Sequence, residues 1–253
     1  MKKLLIFIYG TIAYLVFLIT FLYAIGFVGN ILVPKTINSG VESPFWEAIV
    51  INAILLSVFA IQHSVMARPA FKEQWTRFIP KAMERSTYVF FSSFALLLLY
   101  WQWRPIKTII WDVQNPTLAT IILGVFGIGW LIVLLSTFMI NHFELFGLQQ
   151  IYNNLKNKSN KPIAFKANFF YGLVRHPIML GFLIAFWATP VMTAGHLLFA
   201  VMTTLYIYVA VKFLEEKDLR KFIGPKYELY QKEVPMFIPF TKKKVKKSIT
   251  NTI

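Results

Sequence analysis

An all-α, polytopic bundle of membrane-spanning helices is the fold class this sequence predicts, and three observations predict it. The 253 residues are 57% hydrophobic and 15% charged, with a mean hydropathy of +0.59, outside the range of a soluble domain. Apolar stretches recur at the length needed to cross about 30 Å of hydrocarbon as helices of roughly 20 residues. Of the 26 lysines and arginines, all but Lys35, Arg104 and Lys107 fall in alternate inter-helix segments or at the two ends.

The first span is expected at 4–33. It is too long, and lacks the small-residue cleavage pattern, to be a removed signal peptide; Gly26 and Gly29 loosen its far end. Further spans are expected at 46–66, 87–103 and 118–140. The fifth, 178–192, is short, and is either tilted or paired as a hairpin with the sixth, 197–211, through Thr193-Ala194-Gly195-His196. Lysine and arginine accumulate on the cytoplasmic side of short loops, so about six spans with both termini cytoplasmic are expected. The whole chain, 1–253, reads as one membrane domain: a four-span half at 1–140, a second half with two short spans at 141–240, and a basic tail at 241–253.

The +15 net charge thereby has a topological explanation. Lys242-Lys243-Lys244-Val245-Lys246-Lys247 reads as a solvated tail attracted to anionic lipid, so the bilayer is an expected partner and nucleic acid is not. The absence of cysteine excludes disulfides, a thiol nucleophile and thiolate zinc sites; no metal site is expected. Gly124, Gly127 and Gly129 sit inside the fourth span with no preceding strand, which speaks for close helix packing over a dinucleotide loop.

Ionisable groups are costly near hydrocarbon and are usually functional there, and here they gather at one boundary. Gln62-His63-Ser64 closes the second span, Glu84-Arg85-Ser86-Thr87 opens the third, and Asn141-His142-Phe143-Glu144 closes the fourth. Tyr171-Gly172-Leu173-Val174-Arg175-His176-Pro177 opens the fifth, and Glu215-Glu216 follows the sixth. Only His196 of the four histidines lies on the other side. Read singly, Ser86 or Thr87 caps a helix beside Glu84, His63 and His142 satisfy backbone groups at the interface, and Arg175 is an anchor before a proline suited to a first helical turn. Read together, they point to a cytoplasm-facing site built from helix ends and the C-terminal segment.

Tyr171-x-x-x-Arg175-His176-Pro177, two closely spaced helices, then Lys212 and Glu215-Glu216 resemble the membrane methyltransferases that include isoprenylcysteine carboxyl methyltransferase and phospholipid N-methyltransferases. Gly224-Pro225-Lys226-Tyr227-Glu228-Leu229-Tyr230, with Val234-Pro235 and Pro239, is similar to that superfamily's ending. Gln62-His63-Ser64-Val65-Met66-Ala67-Arg68-Pro69, Glu84-Arg85-Ser86-Thr87-Tyr88 and Asn141-His142-Phe143-Glu144-Leu145-Phe146-Gly147-Leu148 resemble bacterial methanethiol S-methyltransferases and, more distantly, the NnrU proteins. The resemblance implies methyl transfer from S-adenosylmethionine to methanethiol or another small thiol. It places the cofactor in the 141–240 half, with Tyr171, Arg175, His176, Pro177 and Met179 lining its site and Glu215 and Glu216 at its polar end. Gln149, Gln150 and the 163–166 stretch are further candidate contacts.

Methyl transfer from a sulfonium is an in-line displacement, so alignment and exclusion of water matter more than a covalent nucleophile. Aromatic faces stabilise a sulfonium, and Tyr171, Tyr206 and Tyr208 are candidates. The acceptor thiol must lose its proton; His63 and His142 are candidate bases, with Arg85 or Lys212 as the source of a positive field. Met179 departs from the aromatic residue that prenyl-protein and phospholipid enzymes often carry after His-Pro-x, which weakens a lipid acceptor. That acceptor class stays as one alternative. Another is an NnrU-like haem-dependent membrane isomerase with His63, His142 or His176 as axial ligands. A non-catalytic scaffold does not explain the one-sided gathering of polar residues.

Overall fold

The computed structural model describes residues 1–160 and 167–241. The 163–166 stretch and the lysines of the basic tail lie outside the described residues. In chain order the helices are α1 Lys2–Gly29, α2 Phe45–Ala67, α3 Pro69–Trp75, α4 Glu84–Gln102, α5 Pro116–Ile140, α6 His142–Leu145, α7 Leu148–Leu155, α8 Phe170–Leu173, α9 Pro177–Trp187, α10 Ala194–Val209, α11 Glu216–Ile223 and α12 Pro225–Glu233. A π-helical segment, Ala210–Glu215, joins α10 to α11 without a break. Two short strands, β1 Ile109–Asp112 and β2 Val191–Thr193, make the one ribbon among the described residues.

Among the described residues four helices are long and apolar enough to cross a membrane: α1, α2, α5 and the continuous Ala194–Ile223 helix. Their apolar side chains point outward as well as inward. Leu5, Ile8, Ile12, Leu15, Ile19 and Leu22 of α1 are exposed, as are Ile121, Ile128, Leu131 and Phe138 of α5. An apolar surface of that extent suits hydrocarbon and not water. With 19 residues, α4 covers roughly 28 Å, but it buries Ser86, Thr87, Ser92 and Ser93 and packs against α1 and α2. Its polar face turns inward, while Phe91, Phe94, Leu98 and Trp101 are exposed.

The segment expected as a fifth span at 178–192 is shorter as a helix. It stops at Trp187 after 11 residues, about 16 Å, ahead of Pro190, which disfavours helix in the residue before it, and of residues 191–193, which are taken by the ribbon. There Ile109 pairs with Thr193, Trp111 with Met192 and Asp112 with Val191, with a bulge between Ile109 and Trp111. Thr193 then caps α10 by accepting from the His196 N–H at 3.2 Å. The buried His196 ring bonds the Phe186 carbonyl at 2.9 Å, satisfying one of the acceptors that the end of α9 leaves open.

Helix association in a bilayer depends on close packing, which small residues permit. α9 lies against α5 in this way. A Cβ on Gly181 would stand 2.7 Å from the Gly129 carbonyl oxygen, and one on Gly129 would stand 2.8 Å from the Gly181 carbonyl oxygen. Gly124 and Gly127 meet nothing within 4 Å, so the packing role expected of three glycines falls to Gly129. Next to this contact an aromatic core of Phe27, Tyr100, Trp103, Phe126, Trp130 and Phe199 fills the bundle. The end beneath it is pinned by the Asn52 amide, which bonds both the N–H and the C=O of Arg104 at 2.9 and 2.7 Å, and by Trp103 Nε1 donating to the Ile37 carbonyl. With that end closed, the polar helix termini are collected at the other.

Candidate active site

Two prolines shape the open end. α2 ends at Ala67, Arg68 takes an extended conformation, and Pro69 starts α3. Likewise His176 (φ −126°, ψ 66°) precedes Pro177, the first residue of α9. Proline disfavours helix in the residue before it and loses nothing in a first turn. Arg175 and His176 are therefore free to pair their N–H groups with the Pro235 and Met236 carbonyls, at 2.9 and 3.2 Å. That pairing brings the C-terminal segment across the entrance of α9.

The π-helical segment delivers the two glutamates to the same place; such segments are rare and often sit at functional sites. Glu216 accepts from Arg175 Nε at 2.7 Å and Nη2 at 2.6 Å, and from the Gln231 amide at 3.0 Å. Arg175 Nη1 also donates to the Gln231 and Val234 carbonyls. His176 stands between the carboxylates, with Nε2 3.2 Å from Glu216 and Nδ1 3.6 Å from Glu215. Burial works to lower the His176 pKa, but the bonds and charges of Glu215 and Glu216 outweigh it and raise it to about 9. At neutral pH this ring is an imidazolium.

Above this cluster lies a cavity of about 810 Å³, within the range of small-molecule sites. His63 and Ser64 of α2, Arg85 and Tyr88 of α4, and Tyr206 of α10 line one part of it; Tyr171, Arg175, His176, Glu215, Tyr227 and Tyr230 line another. Met139, Ile140, Leu145, Ile178 and Met179 form an apolar wall, and Arg68, Lys72 and Asp218 are also among the lining residues. Arg68 Nη1 meets Asp218 at 2.8 Å, tying α2 to α11. Burial, then the nearby Arg85, push the Lys72 pKa below the usual lysine range, a mark of the positive field on that side. Burial and the charge of Glu215 raise Tyr171, which stays a neutral phenol.

The family described as NnrU protein matches residues 52–223, a stretch that takes in His63, Arg85, Tyr171, Arg175, His176, Glu215 and Glu216. This chain belongs to the NnrU family. Methanethiol S-methyltransferase of Mycobacterium tuberculosis is 55% identical over 240 residues, 95% of this chain and 98% of its own. Methanethiol S-methyltransferase 1 of Bradyrhizobium diazoefficiens is 55% identical over 238 residues, 94% of this chain and 83% of its own. The more distant Nurim of Mus musculus is 31% identical over 177 residues, 66% of each chain. No solved structure matches.

In this NnrU protein the residues singled out from sequence divide into two groups. His63, Arg85, Tyr171, Arg175, His176, Met179, Glu215 and Tyr206 line the cavity. The others stand apart from its wall. The buried Glu216 carboxylate turns to Arg175, His176 and Gln231, and Pro177 is a buried helix-starting residue. His142 is packed away: Nε2 is 2.9 Å from the Tyr14 hydroxyl, Nδ1 is 2.9 Å from Thr137, and its ring stacks on Phe138. Burial lowers its pKa. Lys212 donates to Tyr208 at 2.6 Å, both facing outward, because one π-helical turn cannot aim Lys212 and Glu215 the same way. Gln149 bonds Asn141 and Gln150 bonds the Glu144 carbonyl.

Sequence reasoning assigned no role to Ser64, Tyr88, Arg68, Lys72 or Asp218. Tyr88, Ser64 and Arg68 stood in motifs already noted. The Arg68–Asp218 pair spans 150 positions, and such a separation leaves no local pattern.

Proposed function

We propose that this protein methylates methanethiol with S-adenosylmethionine, releasing dimethyl sulfide and S-adenosylhomocysteine. The observation that carries the reading is the 55% identity, along nearly the whole chain, to relatives named methanethiol S-methyltransferase. The cavity's composition fits such a donor. Glu215 keeps a carboxylate half open at 44% side-chain exposure for a cationic amino-acid end. Tyr171 supplies a neutral ring face beside a sulfonium, and the apolar wall around Met139 and Met179 keeps water from the reacting atoms. When bound, the donor supplies an electrophilic methyl group.

His63 takes the proton of the acceptor thiol, leaving the sulfur lone pair free to attack. Arg85 supports that loss of a proton with positive charge. Arg175 and Glu216 are positioning residues: they hold the imidazolium of His176 and the start of α11 in place. The ring nitrogens of His142 and His176 are all engaged by hydroxyls or carboxylates, which speaks against either as an axial haem ligand.

The bundle crosses the membrane six times, with α4 as one span and α9 with 188–193 as a short one. Both termini and the site face the cytoplasm, as the one-sided distribution of basic residues supports.

Headspace gas chromatography of detergent-purified protein given methanethiol and S-adenosylmethionine tests the reaction, with Glu215→Gln in parallel. Dimethyl sulfide from wild type and at least tenfold less from the variant is the expected result. No dimethyl sulfide from folded protein that binds the donor overturns the proposal.

A further inference from the structure

At the His63 part of the cavity, one hydrogen bond crosses between the two halves of the chain. The hydroxyl of Tyr206, on α10, lies 3.1 Å from that of Ser64, on α2, and Ser64 is the residue after His63. The His63 ring is itself fixed, with the Tyr88 hydroxyl 2.8 Å from Nε2 and the Ser92 hydroxyl 3.2 Å from Nδ1. Phe59, one turn earlier on α2, backs both groups, with ring centroids 5.1 Å from His63 and 6.2 Å from Tyr206. Tyr206 thus presents a phenol held at both ends: its hydroxyl by Ser64 and its ring against Phe59.

A thiol that gives its proton to His63 must bring sulfur within hydrogen-bond reach of that ring. Its alkyl group then has to fit in the space left by Tyr88 and Tyr206, both of which line the cavity beside His63. We propose that Tyr206, anchored by Ser64, is the specificity-determining residue that restricts the acceptor to short alkyl thiols. Its ring fills the volume a longer chain requires, and Phe59 is the apolar surface such a chain meets once the ring is removed. The inference deepens the proposed function and rests on it.

The test compares kcat/KM for methanethiol and 1-butanethiol, with S-adenosylmethionine saturating, in wild type, Tyr206→Ala, Tyr206→Phe and Ser64→Ala. Hydrophobic pockets discriminate by about 10-fold or more per methylene of misfit, so Tyr206→Ala is expected to raise the butanethiol-to-methanethiol ratio at least about tenfold. Tyr206→Phe and Ser64→Ala each loosen the ring and raise the ratio about threefold, and the double variant raises it no further, because both remove the same bond. A merely structural role lowers both acceptors equally and leaves the ratio unmoved; that result overturns the inference. Should Tyr206→Ala fail to accumulate, Tyr206→Leu keeps bulk against Phe59 while falling short of Ser64, and an unchanged ratio there is equally decisive. A wild type that methylates no thiol removes the proposed function and the inference together, whereas an active wild type with an unmoved ratio removes the inference alone.

Discussion

Arg175 and Glu216 form a buried ion pair in which two guanidinium nitrogens meet one carboxylate oxygen at 2.6 and 2.7 Å. It joins the entrance of α9 to the start of α11, and both side chains are 7% exposed. Removing one member strands the other in a site largely shielded from water, at a cost of about 3–5 kcal/mol. Arg175→Ala and Glu216→Ala are each expected to lower thermal stability in detergent by that order, with Glu216→Gln milder. Melts within 1 °C of wild type for both alanine variants would show that the pair holds nothing.

The imidazolium of His176 makes stability depend on pH. Its pKa is about 9 in the folded protein, against about 6.5 in an unfolded chain. The folded state therefore holds the proton more tightly. The resulting stabilisation, at most about 3 kcal/mol, is fully present below pH 6.5 and is lost as pH rises towards 9. Denaturation midpoints between pH 6 and 9.5 should fall across that window in wild type, and the slope should flatten in His176→Asn. A midpoint that rises over the same interval has the opposite sign and refutes the assignment.

His63 lines the cavity and His142 is locked between Tyr14, Thr137 and Phe138. A general base contributes about 10²–10⁴-fold. Initial rates of dimethyl sulfide formation should therefore drop at least about 100-fold in His63→Ala. His142→Ala should show its effect in stability, by about 1–3 kcal/mol for the hydroxyls left unsatisfied, with turnover of the folded fraction close to wild type. Near-normal turnover in His63→Ala removes the histidine base.

Of the three glycines on α5, only Gly129 is in tight contact with α9. Gly181→Ala forces a Cβ to within 2.7 Å of backbone, and overpacking of this kind costs about 1–3 kcal/mol. Gly127→Ala meets open space and gains helix propensity, up to about 1 kcal/mol. Melting curves of the two variants should move in opposite directions; a shared direction contradicts the packing.

Much of the site was legible because its residues stand in short motifs at helix ends. His63, Arg85, Arg175, His176 and Glu215 were readable from charge placed beside apolar runs, Tyr171 and Met179 from the motif resembling the membrane methyltransferases, and the proline at 177 marked where a helix begins. The exceptions have a common cause. Lys212 and His142 occupy the same boundary as the lining residues, but rotation about a helix axis turned one outward and packed the other against Phe138. Of three glycines on α5, only the one opposite Gly181 became a contact. The course of the chain after α9 was set by the pairing of β2 with β1, some 80 positions away in sequence.

Hydrophobic length and charge are properties of contiguous residues, so the helical, membrane-protein character of this chain, the rough places of its long helices and the ends where its ionisable groups collect are all legible along the chain. Which of those groups face a common cavity depends on how the helices pack. That packing assigned Glu215 to that space and Glu216 to Arg175, and it set Tyr206 against Ser64 beside His63. Helix rotation, a π-helical turn and pairings across more than a hundred residues make those choices, and none of them is written in any one segment.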